Sequence, residues 1–462
     1  MRKTLITALS GLLLAACSTA QEKNPVLSVE GGKLIGIKTQ TEGVYAYRGI
    51  PYAAAPVGEL RWKAPQPVNP WEGVKVADTF GNAAYQEKHM PGEFYAKEFF
   101  YDGDAPFSED CLYLNVWTKA PGDTGKKLPV AMWIHGGAFM AGWGFENEMD
   151  GEAWAAEDVV LVTINYRLGI FGFFNHPELT AESGHNASGN YGLMDQIAAL
   201  KWIKANIAQF GGDPDNVTIV GQSAGAASVK YLCTSPLTDG LFNKAVIQSG
   251  GGVGGPGDLM RGKLLADIES TSAKMLEDAG YASLADMRAA STEEIFNAYE
   301  KYKRETRIWN GPGTQPCIDN YVLVGNFNDA IEEGYLKDIP YMIGFTANDI
   351  GDLAGGIKDF CLIREASGKP AYAYKFARAL PGDNSGAFHS SELWYTFHTL
   401  GRCWRPFIKA DYDLSERMVK AWTGFVKDAN PGWAPCTADH PQGMVFQVDE
   451  TANADSSKVE NI

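Results

Sequence analysis

The sequence predicts an α/β fold in which helices flank a mostly parallel central sheet, all within a single large domain. Continuous apolar runs rich in β-branched residues are typical of strands covered on both faces, and they occupy residues 130–134, 159–164 and 217–220, while a fourth strand is predicted at 244–248. A stretch with helical periodicity separates two of these runs. The 462 residues contain no internal repeat, low-complexity tract or proline-rich linker that would divide the chain.

The stretch from Asp195 to Phe210 predicts the helix between the second and third of these strands. Its apolar residues recur every three or four positions, which places them on one face of a helix: Ile197, Leu200, Ile203, Ile207 and Phe210. The pair Gly211-Gly212 ends the pattern, as glycine commonly does at a helix C-terminus. Because strands and helices alternate, we expect the connected strands to run parallel.

A glycine-flanked serine follows the third strand. Residues 221–225 read Gly-Gln-Ser-Ala-Gly, which is the form of a nucleophile elbow. Such a sharp turn from strand to helix holds the serine on strained backbone, and only small residues fit two positions before and after it. The hydroxyl of Ser223 then points out of the sheet, while the N–H of Ala224 lies at a helix start and can stabilise an oxyanion. In this context the α/β prediction becomes an α/β-hydrolase fold.

The first residues resemble a bacterial lipoprotein signal. Arg2 and Lys3 precede an apolar stretch that is too short to span a bilayer and ends directly before Cys17. We expect a signal peptide at 1–16, lipidation of Cys17, a tether at 17–30, the catalytic domain at 31–450 and a polar tail at 451–462. The protein would then be exported and held by its N-terminal lipid on a bacterial membrane, facing the periplasm or the cell surface. The alternative is an ordinary signal peptide that happens to contain a cysteine.

Composition excludes several classes of partner. The formal net charge of −16 argues against a nucleic-acid partner and against binding to an anionic membrane surface. The spacing of cysteine and histidine shows no metal-binding pattern, so we predict no metal site. Six cysteines follow Cys17, and in an oxidising compartment they allow 15 pairings among which the sequence does not choose: Cys111, Cys233, Cys317, Cys361, Cys403 and Cys436.

Eight ordered blocks of sequence extend from about Gly31 to about Phe446. They are 47–52 followed by 60–62, then 108–116, 135–139, 165–169, 189–196, 221–225, 248–250 and 386–393. Together these blocks resemble the type-B carboxylesterase/lipase family of cholinesterase-like α/β hydrolases. The resemblance implies the α/β-hydrolase fold and a serine esterase that requires no cofactor.

An elbow serine needs a base within hydrogen-bond reach and a group that orients this base. His389 lies in the segment Gly-Ala-Phe-His-Ser-Ser, which by the resemblance matches the catalytic histidine loop of the family. His398, nine residues further on, is the alternative and is interpreted as a packed or surface residue. His135 opens a Gly-Gly segment, and we expect it to shape that loop rather than to transfer a proton.

The carboxylate is expected between the serine and the histidine, which is the chain order of this fold. The family has Asp-Glu-Gly where this chain has Asn348-Asp349-Ile350, so the resemblance assigns the role to Asp349, with Asp352 as the alternative. Aspartate is one methylene shorter than glutamate. The loop that carries Asp349 must therefore come closer to His389.

The family resemblance also assigns residues around the reacting carbonyl. The segment after strand 130–134 provides the oxyanion donors Gly137 and Ala138, which Ala224 joins from the elbow. Ser249 is expected to support the site without contacting substrate, while Phe139 and Phe388 are candidates for lining the substrate pocket.

Two departures from the family pattern bear on substrate and stability. The family often has glutamate before the nucleophile, whereas this chain has the neutral Gln222, which makes a choline-type substrate less favoured. Members commonly pair the cysteine of the Glu-Asp-Cys-Leu block with an earlier cysteine. No cysteine lies between Cys17 and Cys111, and Tyr85 stands near the expected position, so this disulfide is predicted to be absent or rewired.

The resulting hypothesis is a serine carboxylesterase that hydrolyses small uncharged carboxylic esters through an acyl-enzyme, with Ser223, His389 and Asp349 as its triad. One alternative is a catalytically silent, neuroligin-like surface protein that binds partners. Another is an amidase or peptidase on the same fold. The retention of Ser223, His389 and the glycine donors argues against the silent binder.

Overall fold

The computed structural model describes residues 24–254, 261–306, 313 and 315–462, so the predicted signal peptide and Cys17 lie outside the described residues. The strands of the described residues are, in chain order, β1 (Val26–Val29), β2 (Gly32–Ile35), β3 (Ile37–Lys38), β4 (Tyr45–Pro51), β5 (Val74–Val76), β6 (Ala83–Ala84), β7 (Phe107–Ser108), β8 (Tyr113–Thr118), β9 (Leu128–Ile134), β10 (Val160–Ile164), β11 (Gly212–Gln222), β12 (Lys244–Gln248), β13 (Lys263–Leu264), β14 (Cys317–Ile318), β15 (Tyr341–Thr346), β16 (Tyr372–Phe376), β17 (Gln442–Phe446), β18 (Val448–Asp449), β19 (Ala454–Asp455) and β20 (Lys458–Asn461).

The helices of the same residues are α1 (Phe94–Phe99), α2 (Glu152–Ala156), α3 (Gly169–Phe173), α4 (Pro177–Glu182), α5 (Tyr191–Asn206), α6 (Ala224–Thr234), α7 (Leu265–Asp278), α8 (Leu284–Ala289), α9 (Thr292–Thr306), α10 (Phe327–Glu333), α11 (Ala354–Ala366), α12 (Leu393–Thr396) and α13 (Lys409–Asp428). The helix predicted over 195–210 corresponds to α5 and the 3-10 turn Ile207–Phe210 that continues it. Gly211 ends this turn in the left-handed conformation, with φ 77°.

Eleven strands of the described chain form one large mixed sheet, in the order β20-β17-β16-β15-β12-β11-β9-β10-β8-β4-β3. All neighbouring strands from β10 to β17 run parallel. The strands β8, β4 and β3 at one edge, and β20 at the other, are antiparallel to their neighbours. The predicted sheet, mostly parallel and flanked by helices, is confirmed.

The central strands are buried on both faces. Every residue of β10, β12 and β15 is buried. Side chains alternate along β9, so that Met132 and Ile134 belong to one hydrophobic cluster and Trp133 to the other. The helices α5 and α6 contribute to the first cluster and α13 to the second. This double coverage explains why the strands read as continuous apolar runs.

The loops that carry the predicted site residues leave the sheet at one edge. The glycine loop follows β9, the elbow follows β11, the loop with Asp349 follows β15 and the loop with His389 follows β16. Parallel strands present their carboxyl ends at the same edge, where open α/β sheets bind their ligands. The topology therefore gathers segments that are far apart in sequence.

Both predicted end segments are corrected by the structure. Val26–Val29, within the predicted tether of 17–30, forms β1, which pairs with β2 and buries Leu27. Lys458–Asn461, within the predicted polar tail, forms β20 and pairs with β17. The strand β20 lies at the sheet edge and is held by backbone pairing, and its mostly polar, largely exposed side chains gave no strand signal.

The six cysteines from Cys111 to Cys436 are free, and all but Cys403 are buried. The ring of Tyr85, near the position where the family pattern would place a partner for Cys111, packs edge-on against Phe171 and Phe296. Among the described residues, no helix has the length and apolar character needed to cross a membrane.

Candidate active site

The elbow has the strained geometry that its sequence predicts. Ser223 immediately precedes α6 with φ 57° and ψ −121°, a conformation that costs on the order of 1–3 kcal/mol for a residue other than glycine. A Cβ atom on Gly221 would lie 2.3 Å from the carbonyl oxygen of Gly225, and one on Gly225 would lie 2.0 Å from that of Ile134. Both glycines are therefore required by close backbone contacts around the serine.

The structure brings Asp349 and His389 into direct contact. The Oδ1 atom of Asp349 lies 2.6 Å from Nδ1 of His389 and also accepts the N–H of Ile350 at 2.8 Å. Its Oδ2 atom accepts the hydroxyl of Ser249 at 2.6 Å and the N–H of Thr346 at 3.0 Å. Burial alone would raise the pKa of Asp349, but the hydrogen bond and charge of His389, with the Ser249 hydroxyl, hold that pKa below its ordinary value. The carboxylate is thus ionised at neutral pH.

The two alternative residues lie elsewhere. The side chain of Asp352 is exposed, and its Oδ1 atom accepts the N–H of Ala354, the first residue of α11, at 3.3 Å. The Nδ1 atom of His398 lies 2.8 Å from Oγ of Ser415, and burial lowers the pKa of this histidine. In the described part of the chain, neither residue is hydrogen-bonded to the Asp349–His389 pair.

Asn348 joins the acid loop to the histidine loop. Its backbone N–H donates to the carbonyl of Ala387 at 3.0 Å, and its side-chain Oδ1 accepts the N–H of Ala387 at 3.0 Å. Gly386 approaches so closely that a Cβ there would lie 2.4 Å from this Oδ1 atom. These contacts bring the shorter aspartate within reach of His389. The sequence analysis missed this role, since no local pattern shows that the two loops are adjacent.

The other ring nitrogen of His389 faces the elbow. Its Nε2 atom lies 3.2 Å from the amide nitrogen of Gln222, the residue that precedes Ser223. Within the described residues, Ser223 Oγ forms no hydrogen bond to His389. Hydrogen bonds between base and nucleophile are often long in an unliganded enzyme and shorten when substrate binds. The phenol of Tyr95 on α1 donates to the carbonyl of His389 at 3.2 Å and holds the loop from outside.

The glycine loop after β9 adopts three consecutive left-handed residues. Gly137, Ala138 and Phe139 have φ values of 94°, 56° and 62°. The carbonyl of Gly137 accepts the N–H groups of Met140 and Ala141, each at 2.9 Å, which closes the turn. Ala138 and Phe139 carry side chains, which makes the left-handed backbone conformation unfavourable in free energy. Contacts with the surrounding structure must therefore stabilise this conformation.

This turn leaves the predicted oxyanion donors available. The N–H groups of Gly137, Ala138 and Ala224 have no hydrogen-bond acceptor among the residues that the structure describes. Gly136 packs on the elbow, where its Cβ position lies 3.0 Å from the carbonyl oxygen of Gln222 and 3.1 Å from Cβ of Ser223. The loop therefore lies directly beside the nucleophile, as an oxyanion hole requires.

His135 and the two aromatic candidates are buried. His135 stacks on Tyr166 with ring centroids 4.5 Å apart, and burial lowers its pKa to about 4, so it is neutral and shapes the loop. Phe139 is fully buried against Phe173. Phe388 packs edge-on against Phe94, whose ring is 42% exposed. A pocket-lining role for Phe139 and Phe388 stays a prediction.

Three buried carboxyl groups lie on the segments that follow the glycine loop and His389. Burial, together with the charge of Asp349, raises the pKa of Glu392 to about 7. Burial also raises the pKa of Glu146 to about 7, and that of its neighbour Glu148 rises for the same reason. The Oε1 atom of Glu146 accepts the N–H of Trp143 at 2.9 Å, next to the glycine loop. Sequence patterns did not predict these acids, because only the fold shows that they are buried.

The described part of the chain contains no cluster of three or more His, Cys, Asp or Glu side chains that could hold a metal ion. An ionised carboxylate, an imidazole whose Nε2 atom faces the elbow, and a strained serine beside amides that have no acceptor among the described residues suit nucleophilic attack on a carbonyl.

Comparison with known proteins yields consistent matches. The model of the Carboxylesterase family matches residues 23–360, which include Ser223 and Asp349 and end before His389. Fumonisin B1 esterase of Sphingopyxis macrogoltabida is 38% identical over 339 residues, or 71% of this chain and 57% of that protein. Para-nitrobenzyl esterase of Bacillus subtilis (strain 168) is 38% identical over 330 residues, or 70% of this chain and 63% of that protein. The chain thus spans less than two thirds of the length of these two relatives.

Similarity of structure extends further along the chain. An esterase from the anaerobe Clostridium hathewayi, which can hydrolyse aliphatic aromatic polyesters, superposes with a TM-score of 0.80 at 27% sequence identity. The superposition covers 95% of this chain and 96% of that chain.

Proposed function

Because the chain belongs to the carboxylesterase family, we propose that it is a serine esterase that hydrolyses carboxylic esters through an acyl-enzyme on Ser223. The observation that carries the proposal is the 2.6 Å contact between Asp349 and His389, whose second nitrogen faces the elbow. The ester hydrolases among its relatives support the same chemistry.

Acylation begins with transfer of the Ser223 proton to Nε2 of His389 as the serine oxygen attacks the ester carbonyl. The negative charge of Asp349 stabilises the imidazolium that forms, since its Oδ1 atom holds the Nδ1–H. The carbonyl oxygen becomes an oxyanion, which the N–H groups of Gly137, Ala138 and Ala224 stabilise. When the tetrahedral intermediate collapses, the ester C–O bond breaks and the alcohol leaves with the proton from His389.

Deacylation repeats these steps with water. His389 removes a proton from a water molecule, whose oxygen attacks the acyl carbon and forms a second oxyanion at the same amides. The bond to Ser223 then breaks, and the serine oxygen recovers its proton from His389. The products are a carboxylic acid and an alcohol, and no cofactor takes part.

The substrate class in this proposal is uncharged esters. Gln222 places a neutral amide beside the nucleophile, where it offers no charge to a cationic alcohol group. Phe94 and Tyr95 on α1 are 42% and 40% exposed next to the histidine loop, to which Phe94 packs through Phe388. Exposed aromatic rings at this position favour apolar or aryl groups on the substrate.

A series of p-nitrophenyl esters of increasing acyl length, with a feruloyl ester beside it, tests this function. We expect turnover by the wild type and loss of at least 10^4-fold in the Ser223→Ala variant, because the nucleophile is removed. Amide turnover comparable to ester turnover would favour the amidase hypothesis. A folded wild-type protein without turnover of any of these esters would favour the silent binder.

The proposal includes export and a lipid anchor at Cys17. Its support is the sequence alone: a basic start, a short apolar stretch and a cysteine at the cleavage site. The Cys17→Ala variant is expected to lose lipidation and its membrane association. Unchanged membrane association of this variant would contradict the anchor without affecting the proposed chemistry.

A further inference from the structure

The hydrogen-bond partner of His389 Nε2 in the resting site is an amide, whereas a hydroxyl is expected there. Gln222 Nε2 lies 3.2 Å from this nitrogen, and among the described residues Ser223 Oγ makes no hydrogen bond to it. The base in the proposed mechanism has only one lone pair with which to accept the serine proton. A donor that already occupies it competes with the nucleophile.

The position of the protons follows from the other side of the ring. Asp349 is ionised and accepts at Oδ1, so the neutral imidazole carries its proton on Nδ1. Nε2 is then an acceptor only. The side chain of Gln222 can satisfy it only through its NH2 group, because the amide oxygen would face a lone pair. The contact is therefore a hydrogen bond donated by Gln222.

The surroundings of Gln222 hold its amide in this position. The residue is 2% exposed, and its backbone pairs with Gln248 at the end of β11. Its Oε1 atom lies 3.0 Å from the position that a Cβ on Gly136 would occupy, so the glycine loop packs against the amide oxygen. The amide is thus fixed between the oxyanion loop and the base.

We propose that Gln222 is a positioning residue that restrains His389: its amide occupies the Nε2 lone pair in the resting enzyme, and Ser223 must displace it before the base can act. This inference rests on the proposed esterase function. The restraint has two opposing consequences. It slows activation of Ser223, and it also stabilises the neutral imidazole, which extends activity to lower pH.

Other groups around His389 must be separated from this effect. Asp349 contacts it from the loop after β15, and Tyr95 reaches its carbonyl from α1. Glu392, which directly precedes α12, interacts with the charge of His389 and has a pKa raised by burial to about 7. Glu392 therefore titrates in the range where the acid limb of an esterase pH profile falls. Measurements in the Glu392→Gln background remove this contribution.

The test compares two substitutions of Gln222 with a matched pair elsewhere. Gln222→Met removes the donor at similar volume, whereas Gln222→Glu replaces it with an acceptor that carries a charge. Gln196 on α5 is also fully buried, and its amide donates to Ser228, so Gln196→Met and Gln196→Glu are the controls. The readouts are the rate of labelling by a fluorophosphonate and the pH dependence of kcat/KM for p-nitrophenyl butyrate.

We expect Gln222→Met to be labelled about two- to tenfold faster at pH 8, the factor that one neutral hydrogen bond corresponds to. The acid limb of the pH profile of kcat/KM should shift to higher pH by about half a unit to one unit in this variant. The carboxylate of Gln222→Glu favours the imidazolium and should move the acid limb up by about one unit or more. The Gln196 variants should leave the labelling rate and the acid limb unchanged.

The outcomes distinguish this inference from the proposed function. If the folded wild type is not labelled, the esterase proposal fails. If it is labelled at Ser223 but both Gln222 variants keep the wild-type labelling rate and acid limb, the inference about Gln222 is wrong and the esterase proposal remains. If Gln222→Met does not fold, the near-isosteric Gln222→Glu variant takes its place. An acid limb of kcat/KM that does not shift to higher pH in Gln222→Glu then contradicts the inference about Gln222.

Discussion

The substitution Asp349→Asn removes the negative charge of the triad carboxylate while keeping the shape of the side chain. In either orientation, the new amide places its NH2 group against an N–H that Asp349 now accepts. If the NH2 group faces His389, it opposes the Nδ1–H at a distance that is now 2.6 Å. The imidazole must then move its proton to Nε2, which leaves no lone pair for the proton of Ser223. If the amide oxygen faces His389, the NH2 group opposes the N–H of Thr346, now 3.0 Å from Oδ2.

Both orientations also remove the negative charge that stabilises the imidazolium. The corresponding substitution in a serine hydrolase triad lowers kcat by about 10^4-fold, or roughly 5.5 kcal/mol of transition-state stabilisation. We therefore expect kcat for p-nitrophenyl butyrate to fall by about 10^3- to 10^4-fold in Asp349→Asn. Asp352→Asn is the matched control: this carboxylate is exposed and contacts only the N–H of Ala354 among the described hydrogen bonds, so the substitution should leave kcat within about twofold of the wild type.

Circular dichroism and thermal unfolding of both variants separate loss of catalysis from loss of fold. The reasoning is refuted if folded Asp349→Asn retains kcat within tenfold of the wild type. It is also refuted if Asp352→Asn loses as much activity, because the carboxylate that serves His389 would then be Asp352.

Three further predictions concern two residues that support the triad and one buried acid beside the glycine loop. Ser249→Ala removes the 2.6 Å donor to Asp349 and should lower kcat/KM about tenfold, measured at pH 7; an unchanged kcat/KM would show that this hydroxyl is dispensable. Gly386 has a φ of 70°, and Gly386→Ala would force a Cβ to within 2.4 Å of Asn348 Oδ1, so steady-state assays should show kcat/KM at least 100-fold lower. Gly401→Ala is the control and should leave kcat/KM unchanged, because a Cβ at Gly401 would meet no atom within 4 Å. Burial raises the pKa of Glu146 from 4.5 to about 7, so the folded state keeps a proton that the unfolded state loses, and stability falls as pH rises through this window. Glu146→Gln should therefore unfold at a higher urea concentration than the wild type at pH 8, and the difference should shrink as the pH falls toward 4.5; equal unfolding curves at pH 8 would contradict the raised pKa.

Local signals in the sequence were sufficient for the central sheet and the elbow. The strand Lys244–Gln248 was predicted with its observed bounds. The strands at 130–134 and 159–164 could be predicted because a strand that is covered on both faces reads as a continuous apolar run. The elbow glycines were predicted because a Cβ at Gly221 or Gly225 would collide with backbone. Both features carry a signal within a few neighbouring residues, although the contact that requires Gly225 is with the distant Ile134.

Features that depend on contacts between distant segments could not be predicted from the sequence. The strand β20 has mostly polar, exposed side chains and is held by backbone pairing with β17, so its sequence was interpreted as a polar tail. The role of Asn348 exists only because its loop meets Ala387. Likewise, Gln222 was interpreted through its neutral charge, whereas its contact with His389 requires knowledge of where the imidazole lies.

The central claim is that Ser223 is the residue made nucleophilic by the Asp349–His389 pair. Its most direct test is to label the folded protein with a fluorophosphonate and to map the adduct by peptide mass spectrometry, beside the His389→Ala variant. The account predicts one adduct per chain on the peptide that contains Ser223, with labelling at least 10^3-fold slower in His389→Ala. An adduct on another serine, or equal labelling rates with and without the imidazole, would contradict it.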